Sequence, residues 1–198
     1  MLNKLYREFK YWLRWITIKF LRLIDPSDYN RWSKSHSLSP DWDDRTILIS
    51  SYIKPDSSVF EFGAGRMILK ENLPTGCKYT PSDIVDRGNG TIICDLNEGL
   101  PFIEKHNYIV FSGVLEYVKD ISSLIHQLKD CADIIICSYA TQSLNSTNRT
   151  IFGWINNHTN QEFISIFNNN DFELAECSAW NSQTIYVFQK RGDKISID

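Results

Sequence analysis

The chain has 198 residues, 42% of them hydrophobic and 23% charged, the make-up of one globular domain with a full core. A formal net charge of -3 supplies no overall basic excess to meet phosphates, so nucleic acid is not expected as a partner. The five cysteines, Cys77, Cys94, Cys131, Cys137 and Cys177, form no Cys-x-x-Cys pair, and Cys94 and Cys137 sit in apolar runs. They read as free thiols of a reducing compartment, with no metal site.

At the start of the chain Leu2, Leu5, Phe9, Trp12, Leu13, Ile16, Phe20 and Leu23 recur at helical spacing, with Lys4, Arg7, Lys10, Arg14 and Arg22 opposite. The pattern predicts a basic amphipathic helix over residues 1–25. Its charges exclude a signal peptide, and a membrane span needs about 18 uninterrupted apolar residues, so a cytoplasmic protein is expected. The helix has three candidate seats: its own domain, a partner subunit, or an anionic membrane surface, for which Tyr6, Trp12 and Trp15 are suited aromatics. Asp25-Pro26-Ser27-Asp28 ends it, because proline removes a backbone donor. Residues 26–55 then form a connector rich in Ser and Trp, with a lead-in helix running from Asp41 through Tyr52.

Short apolar runs alternate with helical patterns over residues 56–198, which marks an α/β domain with a mostly parallel sheet. Strands are predicted at 58–62, 78–82, 91–94, 108–112 and 133–138, with helices at 68–73, 121–129 and 162–169. Two last strands, 172–178 and 184–189, are joined too tightly for a parallel crossover and must pair antiparallel.

The first strand runs into Gly63-Ala64-Gly65, a turn where absent side chains let a ligand approach the backbone. A dinucleotide site would carry a third glycine where Ile68 stands, and Glu61 would repel a diphosphate while suiting an amino-bearing ligand. The second strand ends at Asp83, about 20 residues after the glycines, where a carboxylate can accept both hydroxyls of a ribose, with Ile84 beside it. Asp95-Leu96 ends the third strand and Gly113-Val114 follows the fourth. All four places lie where open α/β sheets bind ligands.

On Val59-Phe60-Glu61-Phe62-Gly63-Ala64-Gly65, Tyr79-Thr80-Pro81-Ser82-Asp83, Cys94-Asp95-Leu96 and Gly113-Val114-Leu115-Glu116-Tyr117 the sequence resembles the class I S-adenosylmethionine (SAM)-dependent methyltransferase family, over about residues 56–190. The resemblance implies a Rossmann-like seven-stranded sheet with a reversed last strand, helices on both faces, and SAM across its carboxyl edge. It also implies Asp95 on the adenine amino group and Leu96 on the adenine ring. One departure stands out, since Tyr117 replaces the histidine that many small-molecule methyltransferases carry there.

Methyl transfer from a sulfonium disperses charge, so alignment of nucleophile, carbon and sulfur is the main demand, and a base is needed only for a hydroxyl or a protonated amine. His158, in the polar loop after the fifth strand, is the first candidate base, with Tyr139 and Glu116 behind it. Arg149 and Trp154 are candidate acceptor-binding residues, an indole being suited to stack on a sugar or aromatic ring. The expected activity is SAM-dependent methylation of a small-molecule or glycan acceptor at a hydroxyl. The competing expectations are a lipid- or quinone-type methyltransferase at a membrane surface and an inert SAM-binding interaction module.

Overall fold

The structure is a computed structural model that describes residues 27–142 and 149–192, Asp25, and scattered helical positions between Tyr6 and Thr17. Most of the helix expected over residues 1–25 lies outside the described residues. Among the described residues, no helix is long and apolar enough to cross a membrane.

Seven strands form one sheet: β1 (Ser58–Phe62), β2 (Lys78–Asp83), β3 (Ile92–Ile93), β4 (His106–Phe111), β5 (Ala132–Tyr139), β6 (Phe172–Trp180) and β7 (Gln183–Lys190). Their order is β3-β2-β1-β4-β5-β7-β6, with β7 antiparallel to both neighbours and the rest running one way. The expected closing hairpin is therefore present. Its two-residue turn is Asn181-Ser182, and Asn181 takes the left-handed conformation that asparagine tolerates (φ 47°).

Side chains of successive strand residues point to opposite faces, and each face has its own core. Phe60, Phe62, Ile109, Phe111, Ile135, Cys137, Tyr186 and Phe188 pack against helices α3 (Ile121–Leu128) and α4 (Asn160–Asn168), through Leu124, Leu128, Phe163 and Phe167. Val59, Tyr108, Val110, Ile136 and Ile185 pack on the other side against helices α1 (Asp43–Ser50) and α2 (Ile68–Asn72), through Ile49 and Leu69, and against Ile53 just after α1. Burial on both faces explains the unbroken apolar runs of the central strands.

Boundaries shift where local chemistry outweighs periodicity. Helix α4 begins earlier than expected, because the Thr159 hydroxyl and the Glu162 carboxylate close a reciprocal capping box. The lead-in helix is confined to Asp43–Ser50, preceded by a 3-10 turn at Pro40–Trp42. β3 shrinks to Ile92–Ile93, an edge strand with one neighbour. From β1 the chain crosses to β2 on one side, while β4 and β5 lie on the other, which opens a crevice at the carboxyl ends of β1 and β4.

Candidate active site

A cavity of about 490 Å³ occupies that crevice. Its floor is the set of strand ends. Gly65 follows β1 with φ +50°, and a Cβ built there would meet nothing nearer than 3.7 Å, so the missing side chain leaves room that belongs to the cavity. Its N–H donates to Asp83 Oδ2 at 2.8 Å. Asp83 Oδ1 accepts from Arg87 Nη2 at 3.2 Å, and Arg87 Nη2 also donates to the Trp32 carbonyl at 2.6 Å. The carboxylate at the end of β2 is thus fixed from two sides before any ligand arrives. Asp95 Oδ1 accepts from Ser27 Oγ at 2.8 Å and from the Asn97 N–H at 2.9 Å.

Glu61 is 2% exposed and accepts a short hydrogen bond from the Tyr79 hydroxyl. Burial pushes its carboxyl up to about 8, the tyrosine bond and the nearby Arg45 acting the other way. Burial therefore favours the protonated form of Glu61. Beside it, Arg45 of α1 reaches the far end of the glycine turn after β4. Its guanidinium lies so close over Gly113 that a Cβ there would meet Arg45 Nη1 at 2.5 Å. Arg45 donates through Nε to Ser112 Oγ (3.1 Å), through Nη2 to the Ser112 carbonyl (3.1 Å) and through Nη1 to Gln183 Oε1 (3.0 Å). With five N–H groups in the guanidinium, two remain for a ligand.

The roof comes from the connector. Leu38 lies over Gly65, and Asp43 pairs with Arg66 at 2.9 Å. Trp32 meets the Tyr117 ring edge-on at 5.0 Å, and Phe152 stacks on Trp154 at 5.0 Å. The Trp154 indole N–H donates to the Tyr117 hydroxyl at 3.2 Å, and burial keeps that phenol protonated, pushed up to about 12.

All of the expected cofactor residues, Glu61, Gly63, Ala64, Gly65, Asp83, Ile84, Asp95, Leu96, Gly113 and Val114, line this one cavity, and so does Trp154. The structure does not bring the expected catalytic groups to its wall. The Tyr139 hydroxyl, on a fully buried side chain, donates to Asn156 Oδ1 at 2.6 Å and accepts from the His158 backbone N–H at 3.0 Å. His158 packs beside that ring, 6.2 Å away, and burial lowers its affinity for a proton. Glu116 is fully buried below the floor, where Oε1 accepts from the Ala140 N–H and from Gln183 Nε2, and burial raises its carboxyl. Arg149 donates to the Ala140 and Asn156 carbonyls and ties the chain after β5 to its own strand. Arg31, Trp32, Trp42, Arg45 and Arg87 line the cavity without having been expected there. Arg45 carried a readable signal, since it stands one helical turn before Ile49 on the buried side of α1.

Sheet order, the reversed β7 and a glycine-floored cavity at the β1–β4 crevice define a class I, Rossmann-like methyltransferase. A family model described as "Methyltransferase domain" matches residues 35–177, and the chain belongs to that family of SAM-dependent enzymes. Solved structures share the fold at low identity. The 1,6-didemethyltoxoflavin-N1-methyltransferase of Burkholderia thailandensis, bound to 1,6-didemethyltoxoflavin and S-adenosylhomocysteine (SAH), is 13% identical with a TM-score of 0.64, over 86% of this chain and 87% of that one. The magnesium protoporphyrin IX methyltransferase of Synechocystis PCC 6803, with bound SAH, is 19% identical with a TM-score of 0.55, over 75% and 81%. An O-methyltransferase from neocarzinostatin biosynthesis, in complex with SAM and 2-hydroxy-5-methyl naphthoic acid, is 13% identical with a TM-score of 0.59, over 79% of this chain and 57% of its own length. No curated protein sequence matches the chain significantly.

Proposed function

We propose that this protein transfers the methyl group of SAM to a hydroxyl oxygen of a small ring-bearing acceptor, a glycan ring included. The carrying observation is that one cavity joins the glycine turns and strand-end acids to an aromatic mouth of Trp32, Tyr117, Phe152 and Trp154. We assign SAM to this floor group by group. Asp83 takes the ribose hydroxyls, while Asp95 and Leu96 take the adenine. Glu61 meets the ammonium, and the two spare N–H groups of Arg45 meet the carboxylate. Ionising Glu61 against an incoming ammonium replaces its proton by a fixed positive charge, so the burial that disfavours the empty carboxylate strengthens the pair once formed.

Transfer then depends on holding acceptor oxygen, methyl carbon and sulfur in line, which the aromatic faces do by stacking the acceptor ring. The S–CH3 bonding pair leaves with SAH, and the hydroxyl proton passes to water at the mouth, since none of the expected bases reaches the cavity wall. We take residues 26–55, the connector and lead-in helix, to cover the cavity of a catalytic domain spanning 56–198. The test is calorimetric titration with SAH, followed by mass spectrometry of acceptor mixtures incubated with SAM for a gain of one methyl group. Saturable SAH binding and a methylated hydroxy compound support the proposal. Nicotinamide-nucleotide binding in place of SAH would sink it.

A second reading places the enzyme at the cytoplasmic face of an anionic membrane, where a lipid- or quinone-like acceptor would reside. It is favoured by the exposure of Tyr6, Phe9, Trp12, Leu13 and Ile16, all on helical positions, with Lys10 over the Tyr6 ring. Anionic vesicles should then bind the whole chain and not one lacking residues 1–24, and salt should weaken the binding. Equal vesicle binding by both chains would instead leave the helix to a domain or subunit contact.

A further inference from the structure

The cations around the cavity are not equally committed. Arg66 is paired with Asp43 and Arg87 with Asp83, while Arg45 is spent on Ser112, Gln183 and the cofactor end. Arg31 differs. It sits in a one-turn helix, Tyr29–Trp32, whose first N–H groups are held by the Asp25 carboxylate at 2.7 and 2.8 Å. Its guanidinium lies 4.4 Å over the Trp32 ring and donates once, from Nη1 to the Phe152 carbonyl at 2.8 Å. Among the described residues no carboxylate pairs with it. Four of its five N–H groups have no partner among the described residues, in a half-buried cation at the aromatic mouth.

Stacking on Trp32 keeps the guanidinium plane in place, which lets it meet a planar anion with little loss of freedom. Tyr117 stands at the same mouth as a proton-bearing phenol. Ring faces next to a positioned, unpaired guanidinium make a receptor for a ring that bears a carboxylate. We propose that the acceptor is such an acid, with its carboxylate on Arg31 and its ring against Trp32 and the exposed Phe152, since the Trp154 indole already carries Phe152 and the Arg149 guanidinium. This rests on the methyltransferase reading above and narrows it from ring compounds in general to anionic ones.

The competing role for Arg31 is purely structural, fastening the connector to the turn at Phe152. Two matched probe pairs separate the two roles in SAH-loaded protein: 4-hydroxybenzoate with 4-hydroxybenzamide, and D-glucuronate with D-glucose, each followed by tryptophan fluorescence. The acid should bind at least about tenfold more tightly than its neutral mate in one pair, as a charged hydrogen bond at a half-exposed site allows. Which pair shows the preference tells an aromatic from a sugar acid. Arg31→Gln should reduce that preference to less than about threefold, and Arg31→Lys should keep part of it, because the charge remains and the fork does not. SAH affinity should stay within about twofold in both variants, a readout that a merely structural fastening would disturb. Equal binding of acid and neutral probe in both pairs overturns the proposal. So does a preference that survives in Arg31→Gln. Failure to bind SAH at all would instead count against the cofactor assignment and is seen before any probe is added.

Discussion

The two ends of the cavity are built in different ways. At the cofactor end the groups sit at the ends of parallel strands, Glu61 on β1 with the glycines just after it, Asp83 on β2 and Gly113 after β4, and the hydrogen-bonded ladder sets their spacing. At the mouth, Arg31 and Trp32 come from a one-turn helix and Phe152 from a 3-10 turn, joined by Arg31 Nη1 to the Phe152 carbonyl and by the Tyr117 and Trp154 side chains. Backbone geometry fixes the first wall, and a few side-chain contacts fix the second. Binding the invariant part of the reaction on the sheet leaves the choice of acceptor to parts that can change without disturbing the fold.

The largest effect that could break this contrast is expected at Gly65. Gly65→Val should fold, since a Cβ meets nothing nearer than 3.7 Å, at a cost in stability from the strain of a β-branched residue at φ +50°, yet weaken SAH by at least about a hundredfold, because the branched side chain fills cofactor space. Circular dichroism with calorimetry checks both halves. Unchanged affinity in a folded variant would take the cofactor off the β1 turn.

Next comes Asp83→Asn, expected to weaken SAH by about 1.5–3 kcal/mol, the range for hydrogen bonds to a charged group. Asp95→Asn should cost less, about 0.5–1.5 kcal/mol, as one acceptor for a neutral amino group. A reversed ranking would place ribose and adenine differently on the strand ends.

Glu61 sharpens the contrast through pH. Burial pushes its carboxyl up to about 8, so a falling pH protonates it and removes the proposed partner of the SAM ammonium. With a free α-amino group titrating near 7.7–8.0, SAM affinity should peak near pH 8 and fall roughly twentyfold by pH 6. Glu61→Gln should flatten the acid limb. A profile in Glu61→Gln as steep as that of the wild type would assign the limb to another group.

The smallest effect is expected at His158. Because it packs beside Tyr139 and off the cavity wall, His158→Ala should leave turnover within about twofold, far from the hundredfold or more that losing a general base costs. A loss of that size would mean that the segment after β5 swings His158 inward during the reaction.

What could be read in the sequence follows the same division. Strand ends are marked by the switch from apolar runs to Gly or Asp, so Gly63, Gly65, Asp83, Asp95 and Gly113 were legible, as was the antiparallel hairpin. A resemblance in motifs added the cofactor. The mouth was not legible, because Phe152 stands 121 residues from Arg31 and no periodicity announces how a connector docks. The polar run around His158 suggested an open loop. It did not show that Asn156 and Arg149 turn inward to satisfy the Leu115, Val118 and Ala140 carbonyls, drawing that segment against β5.

The most direct test of the central claim is the calorimetric titration of the whole chain with SAH at pH 8, beside the same titration of Gly65→Val. One saturable site in the micromolar range, about -8 kcal/mol, that vanishes in the variant is the predicted result. Absence of SAH binding by the folded wild type, or equal binding by both proteins, would contradict it.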